Sequence, residues 1–361
     1  MDVERRMELI KGVGEEIVTP SELKNLLETK SRPVAYDGFE PSGQAHLPFG
    51  VFRALLIKDL LKAGIKFKLW LADWFAWINN KMGGDLEKIH KVGEYFIEIW
   101  KAAGVDTKNV DFIWASDRMD KEYWKKVILI AKNCSVKRAT RALTIMGRKE
   151  GELAETAQYF YPMMQTADIF QLNVDICQLG LDQRRANMLA RDVAPKLGWK
   201  KPVVVSHHML MSLSGMKEPE GFSAESDIDK QISSKMSKSK PSSAVFMHDS
   251  RKEIESKITK AYCAPKDIEN NPMLDYAKQI IFRTFGEMNI DREKRFGGSL
   301  SFGKYEELEQ IFRKGELHPN DLKTAVAANL DKIIKPVRTH FEKNARAKKL
   351  YEFVKKQGVT R

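Results

Sequence analysis

Two lysines and two serines occupy four of the five positions in the segment Lys235-Met236-Ser237-Lys238-Ser239. Lysine carries a compact charge on a long stem, so it can follow a phosphate group that moves during a reaction. The surrounding residues, 211–243, are rich in Ser, Lys, Glu and Gly and show little apolar periodicity. That composition predicts a long mobile loop, and long loops inside domains are often functional. The chemistry indicated is triphosphate binding; the alternative is a solvated basic linker.

A second candidate site is the segment Tyr36-Asp37-Gly38-Phe39-Glu40-Pro41-Ser42-Gly43-Gln44-Ala45-His46. It joins a predicted strand to a predicted helix. Gly38 and Gly43 let the backbone approach a ligand closely, and the following helix N-terminus favours anions. His46 stands at that N-terminus and could donate to a phosphate. On Gly, Ser and His alone, an ordinary strand–helix turn is the favoured interpretation.

A third candidate combines Tyr161, Gln165 and Asp168, whose spacing puts them on one face of a helix. An apolar strand and the segment Gly180-Leu181-Asp182-Gln183 follow. A polar helix face normally contacts solvent. Here Phe160 precedes it and the apolar strand follows it, so a buried polar pocket is at least as well supported.

The elements that must position these residues alternate between strand and helix. Strands are predicted at Val34–Asp37, Ile65–Ala72, Val110–Ala115, Val174–Gln178 and Pro202–Ser206. Helices are predicted at Leu47–Lys62, Leu86–Ala103 and Asp182–Arg191. This alternation predicts an α/β fold, a Rossmann-type doubly wound parallel sheet whose ligands bind at the carboxyl ends of the strands.

We place this catalytic domain at residues 34–260. One predicted segment precedes it, one is inserted within it and one follows it. Residues 1–33 are predicted as an N-terminal helical segment, with a capping box at Thr19-Pro20-Ser21-Glu22. Residues 117–160 are predicted as a helical insertion within the sheet domain. Residues 261–361 are predicted as a mainly α-helical domain, with helices at Tyr305–Lys314 and Asp321–Phe341, a bend at Pro336 and a basic C-terminal tail.

Composition narrows the class of protein. The 361 residues are 43% hydrophobic and 30% charged, with a net charge of +12, which suggests a polyanionic partner such as nucleic acid. Cys134, Cys177 and Cys263 are too far apart in the sequence to suggest a disulfide scaffold, a zinc ribbon or an iron–sulfur site. No apolar run is long enough to span a membrane, and the first residues do not read as a signal peptide. These features predict a cytoplasmic protein without a dedicated metal site.

Taken together in this order, the three candidate segments resemble a class I aminoacyl-tRNA synthetase. The segments Tyr36–Gly43, Tyr161–Gln165 and Gly180–Arg184 are similar to those of tyrosyl-tRNA synthetases of the eukaryotic and archaeal branch, and the resemblance covers residues from about 33 to 341. Lys235–Ser239 matches the KMSKS motif, although Lys240 follows it where Asp or Gly is usual. His46-Leu47-Pro48-Phe49 occupies the HIGH motif, of which only the first histidine is present.

The resemblance implies a role for each matched residue. Tyr36 and Asp168 would bind the phenolic hydroxyl of tyrosine. The α-amino end of tyrosine would be held by Tyr161, Gln165 and Gln183. ATP would be bound by Gly38, His46, Gly180, Asp182, Lys235, Met236, Ser237, Lys238 and Ser239. Among these, His46, Lys235 and Lys238 would be catalytic, stabilising the pyrophosphate that leaves.

The implied reaction is ATP-dependent attachment of L-tyrosine to tRNA(Tyr) through tyrosyl-adenylate, with Mg²⁺ entering together with ATP. Phe296, His318 and Asp321 would bind the anticodon, and the family suggests a homodimer with residues 117–160 near its interface. From the residues alone, Phe296 could equally be a core residue, and His318 with Asp321 an ordinary helix start.

Three alternatives remain to be compared. A tryptophanyl-tRNA synthetase would share the fold, but indole offers no hydroxyl to Tyr36 and Asp168. A synthetase-like RNA-binding protein without catalysis would have no reason to keep His46, the KMSKS lysines and the tyrosine pocket. A nucleotidyltransferase of the same superfamily would not explain the anticodon-like C-terminal region.

Overall fold

The computed structural model describes residues 1–147, 155–216 and 227–357. Its strands are β1 (Gly14–Val18), β2 (Val34–Phe39), β3 (Lys66–Leu71), β4 (Val110–Trp114), β5 (Ile176–Cys177), β6 (Val203–His207), β7 (Met288–Ile290) and β8 (Leu300–Phe302). The helices of the first half are α1 (Val3–Val13), α2 (Pro20–Thr29), α3 (Arg53–Lys62), α4 (Asp73–Ile78), α5 (Leu86–Ala102), α6 (Lys121–Lys132), α7 (Val136–Ala142) and α8 (Tyr161–Gln171). Those of the second half are α9 (Arg184–Val193), α10 (Asp227–Ser234), α11 (Arg251–Lys260), α12 (Pro272–Tyr276), α13 (Phe282–Phe285), α14 (Tyr305–Lys314), α15 (Pro319–Lys343) and α16 (Ala345–Lys356). None of the helices within these ranges is long and apolar enough to cross a membrane.

A six-stranded sheet in the order β1-β6-β5-β2-β3-β4 forms the centre of the described chain. The five strands from β2 to β6 are parallel, and β2 lies between β3 and β5. Because β2 and β5 are neighbours, the turn after each opens at the same sheet edge. The predicted Rossmann-type fold is confirmed.

The prediction that residues 1–33 are helical is only partly correct. Residues Gly14–Val18 form β1, which pairs antiparallel with β6 and forms one edge of the sheet. Two adjacent glutamates interrupt any apolar alternation and no residue of β1 is fully buried, so tertiary pairing decides its conformation. The capping box is confirmed: Thr19 Oγ1 accepts from Glu22 N at 3.2 Å, and Glu22 accepts from Thr19 N at 3.3 Å.

Several element boundaries differ from the prediction. The helix expected at Leu47–Lys62 begins as a wide π-type turn over Pro48–Phe52 and becomes α-helical at Arg53. The strand expected at Val174–Gln178 is reduced to two residues, and the helix expected from Asp182 begins at Arg184. The described part of the 117–160 insertion is helical as predicted; residues 148–154 lie outside the described residues.

The C-terminal region packs onto the sheet domain. One continuous apolar cluster includes Phe49 and Trp100 of the sheet domain together with Phe312 and Val337 of the C-terminal region. Two short strands, β7 and β8, form an antiparallel pair that was not predicted, because three residues are too few to show a period. Helix α15 continues through Pro336. The domain boundary at 260/261 stays a prediction.

The loop predicted at 211–243 contains regular structure. Residues Asp227–Ser234 form α10, and Met211 pairs antiparallel with Lys235. Residues 217–226 lie outside the described residues. The predicted mobility of this loop stays a prediction.

Arg6 ties the N-terminal helix to the body of the protein. Its guanidinium is buried and donates to the carbonyl oxygens of Ala63 at 2.8 Å, Leu27 at 3.0 Å and Ser31 at 3.0 Å. We expect Arg6→Leu to lower the free energy of unfolding by about 3 kcal/mol, because buried carbonyl oxygens lose a charged donor. Urea denaturation measures this change. The neighbouring Arg5→Leu removes an exposed arginine that pairs with Glu8, and its effect should stay below about 0.5 kcal/mol. Equal effects of the two substitutions would contradict the assignment.

Candidate active site

A cleft of about 910 Å³ opens at the carboxyl ends of β2 and β5. Its lining includes every residue predicted to act in catalysis, tyrosine binding or ATP binding. These residues are Tyr36, Gly38, His46, Tyr161, Gln165, Asp168, Gly180, Asp182, Gln183, Lys235, Met236, Ser237, Lys238 and Ser239. The structure therefore brings together segments that lie far apart in the sequence.

One end of the cleft presents buried oxygen atoms that suit a ligand hydroxyl. Tyr36 on β2 and Asp168 on α8 are each 1% exposed, and the Tyr36 hydroxyl has no hydrogen-bond partner among the described residues. Burial raises the pKa of both groups. Tyr123 of α6 donates to Asp168 Oδ1 at 2.9 Å and so fixes that carboxyl. Tyr123 was not predicted, because nothing in the sequence places α6 opposite α8.

Amide and phenol groups line the middle of the cleft. Gln165 Nε2 donates to Gln183 Oε1 at 3.0 Å, which joins α8 to the turn before α9. Tyr161 donates to Glu40 Oε1 at 2.6 Å, and Asn79 donates to the same carboxylate at 3.0 Å. Glu40 and Asn79 were not predicted, although Glu40 belongs to the quoted turn. These groups offer acceptors and donors suited to an ammonium group and its neighbours.

Lysines gather where the turn after β2 meets the KMSKS segment. Lys235 forms an ion pair with Asp182, and Lys238 Nζ donates to Ser42 at 2.9 Å. Burial and the nearby charge of Lys81 lower the pKa of Lys238 to about 8. Lys81 also lines the cleft and was not predicted.

His46 lies among these cations. Burial and the charges of Lys238 and Lys235 lower the pKa of His46 to about 3, so the imidazole is neutral at pH 7. Its Nδ1 has no hydrogen-bond partner in the part of the chain that the structure describes. A neutral imidazole beside lysines can donate one hydrogen bond to an anion without adding a further charge.

A buried ion pair supports the floor of the cleft. Arg53 Nη1 of α3 lies 3.1 Å from Asp37 Oδ2 of β2, and both side chains are at most 4% exposed. Arg53 also donates to Gln178 after β5 and lies 3.2 Å from His207 Nδ1 of β6. Burial outweighs the attraction of Arg53 and raises the pKa of Asp37 to about 7. No role was predicted for Asp37 or Arg53.

Comparison with known proteins agrees with this geometry. Residues 28–335 match the family model of class I tRNA synthetases (W and Y). The chain is 45% identical to cytoplasmic tyrosine–tRNA ligase 1 of Arabidopsis thaliana, over all of this chain and 90% of that protein. The chain belongs to the tyrosyl-tRNA synthetase family of class I. The resemblance inferred from the motifs is confirmed.

Two solved structures of tyrosyl-tRNA synthetases are similar to this fold over nearly the whole chain. The Pyrococcus horikoshii enzyme complexed with L-tyrosine has a TM-score of 0.88 and 42% identity, covering 98% of this chain and all of that one. The Leishmania major enzyme in complex with tyrosinol has a TM-score of 0.88 and 40% identity. That match covers 99% of this chain but only about half (52%) of the Leishmania chain.

In this synthetase, the C-terminal region holds the base of the KMSKS loop. Met236 N donates to Leu210 O at 2.7 Å and Ser212 N donates to Ser234 O at 2.8 Å, so the two ends of the loop pair. Asp275 of α12 accepts from Met211 N at 2.8 Å and contacts His208 Nε2, also at 2.8 Å. These bonds fix the position from which Lys235 enters the cleft.

The residues predicted to bind the anticodon lie outside the cleft. Phe296 is 58% exposed in the turn between β7 and β8, so it is not a core residue. His318 caps α15, where its Nδ1 accepts from Asn320 N at 3.1 Å, and Asp321 lies in the first turn of that helix. Arg292 donates to Gly298 O at 3.0 Å and to Glu316 O at 3.1 Å. Arg292 therefore holds the two segments close to each other.

The His208–Asp275 contact predicts a dependence of stability on pH. Burial opposes the charged imidazole, but Asp275 and Glu15 outweigh it and raise the pKa of His208 to about 10. The stabilisation is complete below pH 6.5, the ordinary pKa of histidine, and is lost as the pH rises through 10. Urea denaturation between pH 6.5 and 10 should show a loss of roughly 2–4 kcal/mol attributable to this contact.

Two variants isolate this effect from other titrations. His208→Gln and Asp275→Asn should each remove that part of the slope, and each should be less stable than the parent at pH 6.5. If either variant keeps the parental slope, His208 does not carry the dependence.

Proposed function

We propose that this protein attaches L-tyrosine to tRNA(Tyr) with ATP, and that the residues of the cleft have the roles that the family implies. The proposal rests above all on the buried Tyr36 hydroxyl, which has no partner among the described residues and lies at the same end of the cleft as Asp168. A phenol hydroxyl can donate to Asp168 and accept from Tyr36, which pairs both groups.

Amino acids without that hydroxyl would leave Tyr36 and Asp168 unpaired. For phenylalanine the resulting rejection is worth a factor of about 10⁵, a magnitude known for tyrosyl-tRNA synthetases as a family and not obtained from this cleft. Indole likewise brings no hydroxyl, so the same unpaired groups disfavour tryptophan.

The reaction needs no nucleophile from the protein. The carboxylate of tyrosine attacks the α-phosphate of ATP, a new carboxyl–phosphate bond forms, and pyrophosphate leaves with the bonding electron pair. A ribose hydroxyl at the 3′ end of the tRNA then attacks the acyl carbon and releases AMP. Both steps depend on positioning and charge stabilisation, which this cleft supplies from its two ends.

At the amino-acid end, Tyr36 and Asp168 would hold the phenol. Tyr161, Gln165 and Gln183 would hold the ammonium group, with Glu40 adding a negative charge. Tyr123 would position Asp168 without touching tyrosine. The hydrogen bonds among these side chains order the site before the ligand enters, which reduces the entropy lost on binding.

At the nucleotide end, Gly38 and Gly180 would line the adenylate and Asp182 would bind the ribose. His46, Lys235 and Lys238 would stabilise the leaving pyrophosphate, while Met236, Ser237 and Ser239 would shape the loop around it. ATP would enter as its Mg²⁺ complex, and the metal would offset the negative charge of the phosphates. Lys81 would add a further positive charge.

The tRNA would contact the C-terminal region. Phe296 and His318 would stack on an anticodon base and Asp321 would hydrogen-bond its edge, which is how proteins usually read unstacked RNA bases. Exposure of the Phe296 ring supports this role, because an exposed aromatic ring is available for stacking.

We also propose a cytoplasmic homodimer. Large apolar side chains are exposed on or beside the helical insertion, namely Trp77, Ile128, Val136, Tyr159 and Phe160. A second copy of the chain would cover this surface, which agrees with the interface expected near residues 117–160.

ATP–pyrophosphate exchange with each of the twenty amino acids tests the proposed activity directly. We expect exchange with tyrosine and about 10⁵-fold less with phenylalanine. Exchange with tryptophan would keep the fold but overturn the assignment of the pocket. Absence of exchange with any amino acid, with and without added tRNA, would favour an RNA-binding protein without catalysis.

Tyr123→Phe tests the positioning of Asp168. The substitution removes one hydrogen bond to a buried carboxyl, so kcat/KM for tyrosine should fall about tenfold. The loss should appear mainly in KM for tyrosine and leave KM for ATP unchanged. The matched control is Tyr262→Phe, which removes the hydrogen bond of another tyrosine to a carboxylate, Asp267, at the surface. Equal losses in both variants, or a rise in KM for ATP, would contradict this role for Tyr123.

A further inference from the structure

A second, shallow depression of about 970 Å³, open to solvent, lies where α15 ends and α16 begins, beside the end of α5. We name it the elbow groove. Its lining is Ala102, Lys332, Lys335, Pro336, Thr339, His340, Lys343, Asn344, Ala345 and Arg346. None of these residues lines the active-site cleft, and none belongs to the anticodon candidates.

The elbow groove carries a stripe of lysines. Lys332, Lys335 and Lys343 are spaced so that they lie on one face of α15, over roughly 16 Å of helix. All three are exposed, and none has a carboxylate within salt-bridge distance among the described residues. Unpaired lysines on a single face are the electrostatic footprint of a polyanion site.

The stripe keeps an excess of positive charge, because the exposed Glu342 beside Lys343 on α15 is one carboxylate against three lysines. Glu98 of α5 is already shared by His340, at 2.8 Å, and Lys101, at 2.8 Å. Glu94 is paired with Arg346 at 3.0 Å. The hydroxyl of Thr339 and the amide of Asn344 add neutral groups that can bind phosphate oxygens.

We propose that the elbow groove binds the phosphate backbone of tRNA, at a place separate from both the active site and the anticodon residues. The inference rests on the proposed function, which makes tRNA a substrate. His318 caps the same helix, so the groove lies 14 to 25 residues further along α15, or about 21 to 38 Å. Backbone contacts of this kind fix the orientation of a nucleic acid, while base contacts elsewhere supply specificity.

RNA is favoured over an acidic polypeptide because the proposed function already makes tRNA a substrate. The three lysines span about 16 Å of helix, which is as long as several nucleotide steps of a phosphate backbone. Seven of the ten residues that line the groove carry a charged or polar group, and the other three are Ala102, Pro336 and Ala345.

The test is the triple variant Lys332→Ala/Lys335→Ala/Lys343→Ala, titrated with tRNA(Tyr) transcript at several salt concentrations. We expect binding about tenfold weaker at about 0.15 M salt. The slope of log K against log salt should fall by about 2 to 3, because each of the three lost phosphate contacts lowers it by about 0.7 to 0.9. Tyrosine-dependent pyrophosphate exchange should be unchanged, since it requires no RNA contact.

The matched control is Lys11→Ala/Lys58→Ala/Lys108→Ala, which removes the same charge from exposed lysines elsewhere. An equal loss of affinity and slope in both triple variants would overturn the proposal, because net charge alone would then explain the effect. The triple Lys→Arg variant of the groove should keep affinity and slope; a loss there would also overturn it. Competition with polyglutamate and with a polynucleotide of equal charge distinguishes the two occupants. If polyglutamate displaces tRNA as effectively as the polynucleotide does, the groove would be assigned to acidic proteins.

The two proposals fail in different ways. If the proposed function is wrong, pyrophosphate exchange will be absent in the parent protein. If the groove proposal is wrong, exchange will remain intact, but the groove and control variants will change the salt dependence of RNA binding equally.

Discussion

The buried ion pair between Asp37 and Arg53 is the constraint on which the cleft depends. The charge of Arg53 cannot be left alone in this interior, because an isolated buried charge costs several kcal/mol. Arg53 therefore has to stay within reach of Asp37, and with it α3 has to stay against the end of β2. The additional contacts of Arg53 with Gln178 and His207 extend the constraint to β5 and β6. The turn that carries Gly38 and His46 starts from this fixed floor.

The cleft compensates its own charges before any ligand arrives. Lys235 is paired with Asp182, and Lys238 donates to Ser42 while burial lowers its pKa to about 8. A nucleotide would exchange these internal partners for phosphate and ribose oxygens. In their proposed roles the lysines would need little reorganisation when negative charge develops on the leaving group, because both already line the cleft.

Much of this arrangement could be predicted from the sequence, because it follows from local patterns. Strand–helix alternation indicates the parallel sheet, and the spacing of Tyr161, Gln165 and Asp168 indicates one buried helix face. What escaped prediction depends on contacts between distant segments. Tyr123, Lys81 and Asp275 look like ordinary helix or turn residues, and only the packing of α6, the turn after α4 and α12 brings them to the site. Strand β1 likewise exists because β6 offers it an edge.

The attachment of Asp275 to His208 and Met211 bears on how far this protein can be divided. A boundary at residue 260 separates the sheet from the C-terminal helices by position in the chain. The anchor of the catalytic loop nevertheless lies beyond that boundary, on α12, and one apolar core continues across it. A shortened enzyme that ends before Pro272 would lose the support of its own active site. The two regions are therefore constrained to evolve together, and an exchange of C-terminal regions between relatives would succeed only if α12 stayed with the sheet.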